Sequence, residues 1–254
     1  MSNTAISLEN ARIQYDDRII FDRINIKIPE KKITVIMGPS GTGKSSILRV
    51  LSNQSKTQSG ELQIGSINVQ NLSPTEQQEM QLKMGFLFQS SALLLNLTVY
   101  ENIALPIRYH FQLPEHVIEE MVNMKLHAVN LLDAKNLYPN QLSGGMIRRA
   151  ALARSIALDP PFIFCDEPFS GQDPINAHQI ADLIKKLNQQ LFATTVIVSH
   201  EVQLSLSYAD KIILINQGKI VTEGHPKEIC KNPCPYTKKF FGPENIKLFH
   251  QGKT

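Results

Sequence analysis

Cysteine is scarce, with three in 254 residues. A small, odd number cannot build a disulfide framework, which excludes the stapled secreted scaffolds and points to a reducing compartment. Excess charge of one sign is also missing. The 26 Lys+Arg stand against 23 Asp+Glu, and a net charge of +3 gives no argument for a nucleic-acid partner. No apolar stretch approaches the roughly 20 residues that a bilayer-crossing helix needs. The stretch Met1 to Tyr15 is polar and acidic where a secretory leader needs an apolar core. No leader is therefore expected, and any membrane role must pass through a partner. Internal repeats, low-complexity tracts and Gly/Ser-rich linkers are absent as well. What is there, 42% hydrophobic and 19% charged residues, suits a globular chain with room for one large α/β domain.

Hydrophobic periodicity divides the chain. Ile24, Ile26 and Ile28 alternate with Asn25 and Lys27, a half-buried strand preceded by a turn at Asp16-Asp17. Residues 33–37 form an uninterrupted apolar strand that runs into a glycine-rich loop and then a helix over 46–51. A short β segment is expected over 60–70. From about 99 to 136 the spacing of Met121, Met124, Leu126, Val129 and Leu132 is helical, punctuated by Pro106, Pro114 and Pro139. Apolar strands return at 162–165, 195–198 and 212–215, with a helix over 176–191 between them. Alternating β and α units predict a mostly parallel sheet covered on both faces, with the middle segment as an inserted helical lobe.

Gly38-Pro39-Ser40-Gly41-Thr42-Gly43-Lys44-Ser45, followed by Ser46, matches the phosphate-loop pattern and sits where that pattern has meaning, after a strand and opening a helix. Glycines let backbone N–H groups curl around a polyphosphate, and the helix start adds the positive end of its dipole. Lys44 brings a full charge to the β and γ phosphates, and the Ser45 hydroxyl can ligate Mg²⁺. A second anchor is the strand at 162–165, which ends in Asp166-Glu167. Carboxylates at the C-terminal edge of a parallel sheet stand where ligands bind. Asp166 can hold the Mg²⁺ shell, and Glu167 can activate a water against the γ phosphate.

Between these anchors lies Leu142-Ser143-Gly144-Gly145-Met146, a helix start that offers free N–H groups and a hydroxyl to an anion. With this segment the chain resembles the ATP-binding cassette (ABC) ATPases over almost its whole length. The resemblance implies an α/β fold: a P-loop NTPase core with a mostly parallel sheet, an N-terminal antiparallel β subdomain and an inserted helical lobe. It divides a single domain into a nucleotide-binding core (1–89 and 157–230), a helical lobe with the signature (90–156) and a C-terminal tail (231–254). It implies ATP and Mg²⁺ as cofactors and a homodimer in which Ser143 to Met146 cap ATP held by the opposite subunit. Gln89 is then the glutamine that links Mg²⁺ and the attacking water to a membrane partner. His200 is the switch histidine at the γ phosphate; of seven histidines it alone ends a predicted core strand. Tyr15 is the aromatic that stacks on adenine, and Asp173 the aspartate that crosses to the other subunit. Met146 stands where the family has Gln, which exchanges a ribose hydrogen bond for a weakly accepting thioether.

Met146 with Arg148-Arg149, the run Gly171-Gln172-Asp173-Pro174, and residues 96–108 resemble one branch, the ATPase subunits of bacterial Mla-type (maintenance of lipid asymmetry) phospholipid transporters. That branch implies a peripheral protein on the cytoplasmic face of the inner membrane. Its partners are integral permease subunits, a small STAS-domain protein and a periplasmic MCE-domain protein. Two rivals share most of these motifs: a motor for a non-lipid substrate, and a non-transport ABC ATPase of DNA repair or translation. The second usually carries long coiled-coil insertions or a second cassette, and this chain has neither. A P-loop kinase would lack both the signature and the switch histidine. Cys230 and Cys234, with no second ligand pair nearby, are expected as surface thiols rather than a zinc site, and the lysines beyond Tyr236 as a solvated or partner-binding tail.

Overall fold

The computed structural model describes residues 3–15, 18–231 and 233–250, with the side chains of Tyr15, Leu248 and His250 outside that description. Two long strands open the chain, β1 (Thr4–Tyr15) and β2 (Arg18–Pro29). They pair antiparallel, and β2 buries Ile24, Ile26 and Ile28 while Asn25 and Lys27 face solvent. The turn expected at Asp16-Asp17 lies outside the described residues. β4 (Ser59–Ile64) and the short β5 (Ile67–Asn68) complete an antiparallel sheet of order β2-β1-β4-β5.

The second sheet carries the site. Its strands are β3 (Ile33–Met37), β6 (Met84–Leu87), β7 (Phe162–Asp166), β8 (Thr194–Val198), β9 (Lys211–Asn216) and β10 (Lys219–Gly224), in the order β10-β9-β3-β8-β7-β6. All neighbours run parallel except β10, which turns back antiparallel on β9. Every residue of β3 and β8 is buried, as unbroken apolar runs require when both faces are covered. Alternation along β3 splits its side chains between two cores. Ile33, Val35 and Met37 join the core built with the helices, and Ile36 joins the core shared with the antiparallel sheet and helix α1 (Lys44–Leu51).

The other principal helices are α2 (Pro74–Leu82), α3 (Val99–His110), α4 (Glu115–Ala128), α5 (Gly144–Ser155), α6 (Pro174–Gln190), α7 (Val202–Tyr208), α8 (Pro226–Lys231), α9 (Pro235–Phe241) and α10 (Pro243–His250). Thr98 starts α3 with a capping box: its Oγ1 accepts from Glu101 N at 3.2 Å, and Glu101 Oε2 accepts from Thr98 N at 3.0 Å. Pro106, read as punctuation, lies inside α3 instead. It is half-buried and lines a surface groove. Beyond Cys230 the described residues fold back onto the domain. Thr237 and Phe241 are buried, and α10 packs on α7, α8 and α9. Cys230, expected at the surface, is buried in the same core, while Cys234 is half-buried and caps α9 through its Sγ. Among the described residues no helix is long and apolar enough to cross a membrane.

Candidate functional site

Three neighbouring strands deliver the chemistry. Ile36, Val198 and Asp166 are partnered in one row across β3, β8 and β7. Just beyond that row β3 enters the phosphate loop, β8 leads to His200, and β7 leads to Glu167. Backbone bonds continue the ladder past the strands, from Glu167 N to Val198 O at 2.9 Å and from Ser199 N to Ile36 O at 3.2 Å. The result is a cleft of about 410 Å³ lined by Ser40, Gly41, Gly43, Lys44, Ser45, Ser46, Gln89, Glu167, His200 and Ile20. Its size suits a nucleotide-sized ligand.

The loop folds tightly because of its glycines. Gly43 has φ +87°, and a Cβ there would lie 2.3 Å from Ile20 Cγ2 and 2.7 Å from the Phe21 ring. Only glycine fits both the left-handed backbone and the contact with β2. Thr42 Oγ1 donates to Pro39 O at 2.8 Å and pins the loop. Lys44 Nζ donates to Gly38 O at 2.9 Å and Pro39 O at 3.0 Å, so the ammonium is held beneath the loop. Burial depresses the Lys44 pKa, and the Glu167 and Asp166 carboxylates oppose that shift.

Two pairs define the reactive end. Ser45 Oγ donates to Asp166 Oδ1 at 3.0 Å, so a hydroxyl from α1 meets a carboxylate from β7. These hard oxygen donors fit Mg²⁺, which takes few protein ligands and completes its shell with water and phosphate. Glu167 Oε2 and His200 Nδ1 share a hydrogen bond of 2.8 Å. Glu167 holds φ +47°, a left-handed conformation uncommon for a glutamate, and its side chain is only 12% exposed. A carboxylate so placed can accept a proton from a water, and the histidine beside it can steer that water or the phosphate it attacks.

The remaining predicted residues form a second cluster away from the cleft. Ser143 N-caps α5, with its Oγ accepting from Met146 N at 3.3 Å, and Ser143 and Gly144 are exposed. Gly145 is buried against α6, where a Cβ would lie 2.8 Å from Asn176 Oδ1. Met146 is half-buried against the helical core, a placement in which a thioether packs well. Asp173 N-caps α6 and accepts from Asn176 N at 3.0 Å, and bonds from Asn176 hold its carboxyl below the usual range. Within one chain, then, the loop, Asp166, Glu167, His200 and Gln89 come together, whereas Ser143 to Met146 and Asp173 lie outside that cleft, with Ser143, Gly144 and Asp173 exposed. The side chain of Tyr15 lies outside the described residues.

Sequence reasoning missed Ile20 in the cleft wall, Asn176 between Asp173 and Gly145, and the buried Asn102. Asn102 Oδ1 accepts from Leu94 N at 2.8 Å, and its Nδ2 donates to Leu94 O, Leu97 O and Thr98 O, which fixes the loop that follows Gln89. A buried asparagine in an amphipathic helix gives no sign of these partners.

The chain is similar to known proteins over most of its length. The ABC transporter family model matches residues 21–170. The intermembrane phospholipid transport system ATP-binding protein MlaF of Haemophilus influenzae is 44% identical over 232 residues, covering 91% of this chain and 88% of its own. Its namesake in Escherichia coli K12 is 42% identical over 235 residues, covering 92% and 87%. Among solved structures, the dimeric post-hydrolysis state of the ATP-binding cassette MJ0796 with ADP and Pi superposes with a TM-score of 0.78 at 30% identity, over 87% of this chain and 98% of that one. With a phosphate loop, paired carboxylates and a capped signature helix on this fold, the chain belongs to the ABC transporter family as an ATP-hydrolysing cassette.

Proposed function

We propose that this cassette is the motor of an intermembrane phospholipid transporter, working as a homodimer on the cytoplasmic face of the inner membrane. Each of two composite sites takes the phosphate loop, Asp166, Glu167, His200 and Gln89 from one protomer and Ser143 to Met146 with Asp173 from its partner. The observation that carries the dimer is the division of the site: the phosphate-capping helix start of α5 is exposed, yet it lies outside the chain's own cleft. The lipid substrate rests on the 42–44% identity to the MlaF proteins along nearly the whole chain.

In this reading Lys44 and the loop amides hold the β and γ phosphates, Tyr15 stacks on adenine, and Ser45 and Asp166 with Gln89 hold Mg²⁺. The metal, when bound, offsets charge on the phosphates. Glu167 takes the proton of the attacking water, and His200 orients it. Closure brings the partner's α5 start onto the γ phosphate, and hydrolysis releases it.

Motion reaches the membrane through Phe88 and Gln89. Gln89 lines the cleft, and the adjacent Phe88 lines an apolar groove of about 420 Å³ with Met84, Leu105, Pro106 and Tyr109. Tyr109 is 81% exposed. Such a groove suits a short amphipathic helix of a permease subunit. A STAS-domain protein and a periplasmic MCE-domain protein complete the proposed assembly.

A strain lacking this gene tests the proposal. It should accumulate phospholipid in the outer leaflet of its outer membrane and become detergent-sensitive. The Lys44→Ala allele should fail to restore it while the wild-type allele succeeds, and permease subunits should copurify with the wild-type chain. Normal outer-leaflet lipid and normal detergent resistance in the deletion strain would defeat the lipid assignment and leave the ATPase standing.

A further inference from the structure

Arg148 is a buried cation with no counter-charge among the described residues. Its side chain projects from α5, two positions beyond Met146, and only 5% of the residue is exposed. Among the described residues no carboxylate forms an ion pair with it. Burial depresses the Arg148 pKa, and the buried Cys165 thiol acts in the opposite direction. An arginine stays protonated under such pressure, so its charge is held against a desolvation cost.

The guanidinium spends its donors on two loops. Nη1 donates to Phe88 O at 2.9 Å, and Nη2 to Ser170 O at 3.5 Å. Its Nε is enclosed without an acceptor among the described residues. Phe88 immediately precedes Gln89, and Ser170 lies between Glu167 and Asp173. A group kept for stability alone would find a carboxylate or be replaced by an apolar side chain of similar volume. A planar fork that reaches two carbonyls at once is instead suited to holding two segments at a fixed separation.

We propose that Arg148 is a positioning residue that clamps the backbone before Gln89 to the backbone after Glu167, so that the signature helix and both loops move as one body. Arg148 thereby ties the helix that serves the partner's nucleotide to the loops that serve its own. This inference rests on the roles given above to Gln89, Glu167 and Asp173.

The test uses the purified full-length cassette in its transporter complex, with Arg148→Met and Arg148→Lys compared with wild type and with Glu167→Gln. Arg148→Met removes a buried unpaired charge but also two donors to carbonyls, so the opposing effects should leave the melting temperature within about 4 °C of wild type. It should leave KM for ATP within about twofold and lower kcat by about 10- to 100-fold, the effect of misplaced catalytic groups. Hydrogen exchange should rise together at 88–90 and 168–173 and stay unchanged in β3 and β8. Arg148→Lys keeps the charge but not the fork. It should fold normally and recover part of kcat, and it carries the test if the Met variant fails to fold. Wild-type kcat in the folded variants would overturn the clamp, as would a loss of activity that merely follows a loss of melting temperature in both. If Glu167→Gln also turned over normally, the reading of the site itself would fall, a result distinct from failure of the clamp.

Discussion

Replacing Glu167 by Gln isolates one property of the reactive pair. Glutamine has the same shape, tolerates the left-handed backbone no worse than glutamate, and can still hydrogen-bond His200 Nδ1, now 2.8 Å from Oε2. Fold and cleft should therefore persist, with a melting temperature within about 2 °C of wild type. What disappears is the negative charge and the basic oxygen. A positioned base is worth on the order of 10²- to 10⁴-fold in rate, and at about 1.4 kcal/mol per decade the barrier should rise by about 3–5 kcal/mol. Nucleotide affinity should move the other way. Glu167 and Asp166 both act on the Lys44 ammonium, and removing one carboxylate also removes a repulsion against the γ phosphate. Binding should hold or tighten, and the variant should collect as an ATP-bound closed dimer. Phosphate release by the purified complex, fluorescent-nucleotide titration and size-exclusion with ATP measure the three quantities. Turnover within a few-fold of wild type, with binding intact, would refute Glu167 as the base.

Further outcomes follow from the same geometry. Ser143→Arg places a bulky cation at the exposed start of α5; it should block hydrolysis and dimer closure while single chains still bind nucleotide, as titration and sedimentation would show. Asn102→Ala strips the acceptor from Leu94 N and donors from three carbonyls of the loop after Gln89, costing about 2–3 kcal/mol, or roughly 5–10 °C in melting temperature. Phe241→Ala should cost about 3–5 kcal/mol in denaturant titrations, since that ring is 1% exposed. A loss below about 1 kcal/mol would make the C-terminal helices an appendage.

Contiguous chemistry was legible in the sequence. The phosphate loop, the strand ending in Asp166-Glu167 and the strand leading to His200 each occupy one short run, and a run of buried residues next to polar ones needs no tertiary knowledge to interpret. The mostly parallel character of the central sheet followed from the same alternation of units, though not the order of its strands. What escaped depends on long-range contact. Phe88 and Arg148 are 60 residues apart, and nothing in either neighbourhood announces the other. The C-terminal helices are short, and the lysines at 238 and 239 outweighed the apolar Tyr236, Phe240 and Phe241 in a residue-by-residue reading. Pro106 looked like a break because proline removes a helical hydrogen bond, yet α3 runs through it to His110.

The shared row of Ile36, Val198 and Asp166 has a consequence for how this cassette tolerates change. Neighbouring strands keep a spacing of about 4.8 Å, so the sheet works as a ruler on which loop, base and histidine are graduations. A slip of one residue in any of the three strands would shift its graduation by about 3.3 Å and turn its side chains to the opposite face. The connections that enter these strands at their opposite, N-terminal ends carry none of the cleft residues and can drift in length and composition without altering that scale. Chimeras between this cassette and a distant relative should accordingly keep hydrolysis when the joints fall in the connections entering β3, β7 and β8 and lose it when they fall within those strands.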